Sequence, residues 1–276
     1  MANKKNEDHV PIQWHTAAYA ALQIELADYL DVLEFSDETQ LSSKPLKIDV
    51  LIIKKLRDMV IEKNFARIFR TYNIVEYKSG SDYLSIGDLY KVYGYACLYS
   101  SLERKDITDI TVTFVAEQYP RKVLTHLQEI RGFTLDKTDE GIYTIRGDVL
   151  PMQFIESKAL SAADNLWLRN LRGKLDRESF SALFREDEKL YRKPEMEKLL
   201  DAYMHVVVEA NADLWEKETM EMSPRVRKAL EATGWTKDWE KKGEKRAAAK
   251  YKADAARYKA ENAELKRQLA QLAQKK

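Results

Sequence analysis

In "NIVEYKS" a glutamate and a lysine, Glu76 and Lys78, are separated by one residue. The stretch is rich in β-branched and aromatic residues, the composition of a strand. A strand alternates its side chains, so both groups point to the same face of a sheet. Such a pair has two uses. It can be a solvated ion pair worth ~0.2–1 kcal/mol. It can also be a working pair, in which the carboxylate holds a cation and the amine steadies charge on a reacting group. Other chemistries find less support. The histidines His9, His15, His126 and His205 are scattered without ligand spacing. Cys97 is the lone cysteine, so it forms neither a disulfide framework nor a zinc knuckle, and its apolar neighbours predict a packing residue. No Gly-rich phosphate loop and no Ser-His-Asp pattern occurs.

The elements that must position the pair follow from periodicity. "TAAYAALQIELADYLDVL", Thr16 to Leu33, repeats apolar residues at helical spacing. "VLEFSDETQL" predicts a short strand, "KPLKIDVLIIKK" (Lys44 to Lys55) a buried one, and "NIVEYKS" a third. "KNFARIFRTY" is a connection with a helical turn. "SIGDLYKVYGYACLY" returns to the helical period, and "DITDITVTFVAEQY" is a β-branched strand. The order is α-β-β-β-α-β. Beyond it come a helix closed by Gly132, a hairpin turning at Glu140-Gly141 and a further strand, "VLPMQFIES". From about Ser157 onward the chain reads as nearly all helical.

The strand order and the Glu-x-Lys pair together resemble the PD-(D/E)XK nuclease superfamily, most closely its Rpn-like, transposase-associated branch. That signature is an Asp on one strand, (Asp/Glu)-x-Lys on the next, and a helix bearing a polar residue. "IDVLII" supplies Asp49, and "VEYKS" supplies Glu76 and Lys78. "KVYGY" is similar to the family's Gln-x-x-x-Tyr element, with Lys91 in place of Gln and Tyr95 as the Tyr. Glu25 sits where a first-helix acid often completes the set. Ile48 stands where the family often has Pro, and "RDMVIEKNFARIFRTY" lengthens the hairpin between the two acidic positions. The resemblance covers roughly residues 14–156. It implies a restriction-endonuclease-like α/β core with a mixed sheet. It also implies a metal-dependent endodeoxyribonuclease, a hydrolase of phosphodiester bonds in DNA. Asp49, Glu76 and the carbonyl of Tyr77 would ligate Mg²⁺ or Mn²⁺, and Lys78 would assist the attacking water. Glu25, Lys91 and Tyr95 would complete the site. The alternative is a catalytically silent nuclease-fold module that binds DNA or recruits partners through a coiled coil.

Charge distribution bears on the partner. Net charge is +1, but residues 237–276 hold 13 Lys+Arg and 6 Asp+Glu, leaving an acidic body. An acidic body does not coat nucleic acid non-specifically, so contact with it must be local. Segment 44–78 is locally basic, with nine basic and four acidic residues. Lys54, Lys55, Arg67 and Arg70 are its candidate phosphate contacts.

The expected organisation is a nuclease-like domain over 1–156, a helical region over 157–234 and a C-terminal helix over 235–276. In that helix Tyr251, Tyr258, Leu265 and Leu272 recur every seven residues, with Asn262 at one a position. That pattern specifies a parallel two-stranded coiled coil, hence an expected homodimer. No apolar run is long enough to span a membrane, and no signal-peptide core is present, so a cytoplasmic location is expected.

Overall fold

The computed structural model describes residues 12–36, 51–80, 82–191, 193–211 and 214. All of them fall within one compact unit, Met1–Lys217. Asp49 and the heptad segment lie outside the described residues.

The chain begins with helix α1, Trp14–Glu25, which buries Ala17, Ala18, Ala20, Ala21, Leu22 and Ile24. The helix is shorter than the periodicity predicts. After Leu26 the chain tightens into a 3-10 turn, Ala27–Tyr29, and then enters strand β1, Leu33–Ser36. Asp28, Asp31 and β-branched Val32, all poor helix formers, fall in this stretch. The remaining strands are β2 (Leu51–Lys55), β3 (Tyr72–Lys78), β4 (Ile110–Ala116), β5 (Thr134–Asp139), β6 (Ile142–Arg146) and β7 (Met152–Glu156). They form one mixed sheet in the order β1-β2-β3-β4-β7-β6-β5. β3, β4 and β7 run parallel at its centre, and antiparallel strands flank them on both sides. The observed order α1-β1-β2-β3, then helix α2 (Ile86–Glu103), then β4 is the α-β-β-β-α-β order read from the sequence.

Period 2 sorts the central strands into two faces. Tyr72 and Ile74 of β3, Val112 and Phe114 of β4, and Met152 and Phe154 of β7 share one face. They pack against Leu89, Val92 and Ala96 of α2 and against Val123, Leu124 and Leu127 of helix α3, Arg121–Glu129. The opposite face is covered by α1 together with helices α4 (Leu166–Arg169) and α6 (Pro194–Ala210); helix α5 (Arg177–Leu190) lies between the last two in sequence. There the Tyr77 hydroxyl donates to the Leu171 carbonyl at 2.8 Å, and the buried Tyr203 hydroxyl donates to Trp167 at 2.7 Å.

This second face carries a buried polar ladder. Asn73 Oδ1 accepts from the Arg70 amide and the Thr111 hydroxyl, at 2.8 and 2.7 Å. Its Nδ2 donates to the carbonyls of Ile53 and Arg70, at 2.9 and 2.8 Å. Gln153 Nε2 reaches the Phe65 carbonyl at 2.6 Å and the Thr113 hydroxyl at 2.9 Å. These bonds fasten the long β2–β3 connection to the sheet, helped by buried Ile61, Phe65 and Phe69. At the β5–β6 turn Gly141 has φ 70°, and a Cβ there would stand 2.7 Å from the Glu156 carbonyl. Only glycine fits both the left-handed backbone and that approach. No helix among the described residues is long and apolar enough to cross a membrane.

Asn73→Leu keeps volume but strands several buried donors and acceptors, each costing about 1–3 kcal/mol. Equilibrium denaturation should show a loss of about 2–4 kcal/mol. A loss below about 0.5 kcal/mol would mean that the ladder does not hold β3 in place.

Candidate active site

Glu76 and Lys78 emerge side by side at the C-terminal end of β3, on the face covered by α2. Glu76 is 1% exposed, and its register partner on β4 is Phe114. A charge there must be compensated, because desolvation without a partner costs several kcal/mol. Helix α2 provides the compensation. Ser85 caps it with a reciprocal box: the Ser85 hydroxyl accepts from the Asp88 amide, and the Asp88 carboxylate accepts from the Ser85 amide. The box holds Asp88 over the strand end, and Lys91 follows on the same side of the helix.

The result is an alternating charge cluster. Lys78 Nζ lies 3.2 Å from Glu76 Oε1, 3.2 Å from Asp82 and 3.0 Å from Asp88. Lys91 Nζ lies 3.4 Å from the same Glu76 oxygen and 3.8 Å from Asp88. Glu76 Oε1 thus faces two ammonium groups. Glu76 Oε2 is buried and has no hydrogen-bond partner among the described residues. Burial pushes the Glu76 carboxyl above its ordinary range, against the pull of the Lys91 and Lys78 charges. Burial would lower Lys78, but its bonds to Asp88, the charge of Glu76 and the bond to Asp82 together hold it above the usual lysine range. Burial also acts to raise Asp88; the Ser85 hydroxyl and amide and the Lys78 ammonium outweigh it and bring that carboxyl to about 2.

The other sequence candidates are placed differently. Tyr95, one turn beyond Lys91, packs against the apolar cluster on this face and makes no hydrogen bond to the pair. Glu25 is not brought to Glu76. It ends α1 beneath the opposite face, where its Oε1 accepts from the amides of Trp167 and Leu168 at 2.7 and 3.0 Å. Its Oε2 pairs with Lys63 at 2.5 Å. Glu25 therefore caps the short helix α4, which has no side-chain cap of its own. Burial raises its carboxyl, and the Lys63 charge and the two amides oppose that shift.

Three of the basic candidates, Lys54, Lys55 and Arg70, gather at the far end of β3. Lys54 is opposite Tyr72, the first residue of that strand. Six residues of strand separate Tyr72 from Lys78, about 20 Å. Lys54 pairs with Glu34, and Lys55 with Asp58, both at 3.4 Å. The Arg70 guanidinium donates to the Thr108 carbonyl. The helical turn of the β2–β3 connection is a 3-10 turn, Asn64–Ala66, with exposed Arg67 at its C-cap and Arg70 beyond it. Lys55, Arg57 and Arg70 line an open cleft of ≈ 580 Å³ that also contains Asp58 and Asp109.

Periodicity and motif spacing missed Asp82 and Asp88, the main partners of Lys78. The signal was present as Ser85-x-x-Asp88, a capping-box pattern that marks the helix start and the acid in its first turn. Among the described residues no group of three His, Cys, Asp or Glu is assembled to hold a metal ion. Compared with protein-family models, curated proteins and solved structures, the chain matches none.

Two stability experiments separate these acids. Glu25→Ala removes the partner of Lys63 and the cap of α4 together, and should cost about 3–5 kcal/mol in denaturant melts. A cost below about 1 kcal/mol would contradict the capping role. Asp88 is depressed from 3.8 to about 2, so its stabilisation is present above pH 4 and is lost as pH falls through 2. Asp88→Asn should therefore cost about 2 kcal/mol at neutral pH, with the gap to the parent narrowing on acidification. A gap that stays constant with pH would contradict this origin.

Proposed function

We propose that the chain is a nuclease-fold hydrolase of the PD-(D/E)XK type that cleaves phosphodiester bonds in DNA with Mg²⁺ or Mn²⁺. One observation carries the reading. Glu76 and Lys78 sit together on a core strand beside Lys91 of the following helix, and Glu76 Oε2 is buried with no partner among the described residues. An orphaned carboxylate oxygen is expensive, and a hard divalent cation is the kind of ligand it suits. The element order and the mixed sheet fit a restriction-endonuclease-like core.

The cation would be held by Glu76, with Asp49 and the Tyr77 carbonyl as the further ligands that the resemblance implies. When bound it neutralises phosphate charge and acidifies water. The chain's own residues do the rest. Lys91 fixes the rotamer of Glu76 by its bond to Oε1. Lys78 is held protonated at the strand end. Its Asp82 partner is 62% exposed, so that contact can give way to a substrate oxygen with little loss. Freed on that side, the ammonium orients the attacking water or steadies charge on the phosphate.

A second reading has its own observation. Lys78 already meets three carboxylates at 3.0–3.2 Å, which neutralises it as a structural ion pair would be neutralised. The cluster would then be the fossil of a site in a DNA-binding or scaffolding module.

Plasmid nicking decides between them. The first reading predicts cleavage with Mg²⁺ or Mn²⁺ that chelator abolishes. Asp49→Ala and the shape-conserving Glu76→Gln should each lower the rate by about 10²–10³, and Lys91→Ala by about tenfold. At limiting metal the acid limb of the pH profile should lie above 4.5, the ordinary glutamate value, because burial raises Glu76 and its protonated form cannot take the cation. Absence of metal-dependent cleavage on DNA, in folded parent protein, would leave the second reading. Cleavage that survives Glu76→Gln unchanged would overturn the first.

A further inference from the structure

Helix α2 turns one side to the sheet and leaves most of the other exposed. A surface helix ordinarily carries charge on its outer side. Here that side is Ile86, Gly87, Tyr90, Lys91, Gly94, Cys97, Leu98, Ser101 and Leu102 at helical spacing. Ile86 is 37% exposed, Tyr90 42%, Leu98 42% and Leu102 55%. Tyr83, just ahead of the helix, is 68% exposed and extends the patch. Lys91, the one charge in the stripe, turns back to Glu76 and Asp88. Among the described residues α3 meets one edge of this side, where the Tyr90 hydroxyl lies 2.8 Å from His126 Nε2 and the two rings stack edge to face, and the rest of the stripe stays exposed. Its lack of free cations makes it a poor match for nucleic acid, and it stands independently of the chemistry proposed above.

Two features indicate what covers it. The stripe is symmetric about Gly94: Tyr90 and Leu98 stand four residues to either side, and Ile86 and Leu102 eight. An antiparallel copy centred on the same residue would pair Tyr90 with Leu98 and Ile86 with Leu102, twice over. That is the self-complementarity of a two-fold interface. Second, Gly94 has no reason within its own chain. Its φ is not left-handed, and a Cβ there would meet nothing within 4 Å. A mid-helix glycine costs roughly 0.5–1 kcal/mol relative to alanine. Close approach of another backbone is the remaining use for a missing side chain. Opposed helix dipoles add to the match.

We propose that the outer face of α2 is a homodimer interface, two copies crossing antiparallel at Gly94. One helix face alone falls short of the roughly 800 Å² per partner of a standard interface, so the pair exchanges readily and is best read by covalent capture. Facing Cα atoms at a close helix crossing stand about 4–5 Å apart, within reach of a disulfide. Full-length Gly94→Cys in a Cys97→Ser background, with a mild oxidant, should form a disulfide-linked dimer. It should do so at least about tenfold faster than Val60→Cys in the same background, an exposed control on the β2–β3 connection. Adding Leu98→Lys and Leu102→Lys, which set cations against Tyr90 and Ile86 of the second copy, should abolish the difference while far-UV circular dichroism and melting temperature stay near the parent. Gly94→Cys linking no faster than Val60→Cys would overturn the proposal. That is the result expected if the chain's own remaining segments cover the face, or if copies associate elsewhere. Linkage unaffected by the Leu98 and Leu102 changes would overturn it as well.

Discussion

Two opposite charges on a core strand constrain much of this structure. Glu76 is nearly inaccessible and Lys78 scarcely less so, and neither could stay ionised there alone. The neighbourhood is arranged around that problem. Helix α2 starts where it does because Ser85 and Asp88 cap it, and the same Asp88 carboxylate then meets Lys78. One side chain ends a helix and balances a buried cation. The register of β3 is tied to the same cluster. A slip of one residue would carry Glu76 and Lys78 to the other face, where Tyr77 now reaches Leu171. Asn73 resists that slip by tying the start of β3 to β2, to β4 and to the β2–β3 connection at once.

Two buried glutamates, one on each face of the sheet, differ in what the described residues leave unsatisfied. On the α2 face the charges gather at one strand end, and one buried oxygen of Glu76 has no partner among the described residues. On the α1 face the buried polar groups of the ladder are bonded within the fold, and Glu25 satisfies two amides and Lys63. Groups fully satisfied by their own chain hold structure, whereas a buried acceptor left over has capacity for something else. That contrast separates Glu76 from Glu25, which carry the same functional group.

Much of this was legible from residue order. β3 and β4 were visible as β-branched runs, α2 as a helical period, and the β5–β6 turn as Glu140-Gly141, because each depends on local spacing and propensity. The Glu76–Lys78 pairing follows from period 2 alone. The role of Glu25 was not legible, since it depends on amides at Trp167 and Leu168, more than a hundred residues away. α1 ended earlier than its apolar spacing predicted because poor helix formers follow it. The distance of Lys54, Lys55 and Arg70 from the Glu76 cluster was also hidden: they are close to it in sequence, yet they lie at the opposite end of β3.

The account's central claim is that Glu76 is a ligand held ready, not merely half of an ion pair. Direct titration of Mn²⁺ into the protein, followed by calorimetry or water-proton relaxation, tests it without requiring turnover. The account predicts one saturable site in the parent, lost in folded Glu76→Gln and in Asp49→Ala. A parent that binds no Mn²⁺, or a Glu76→Gln protein that binds it as well as the parent, would contradict it.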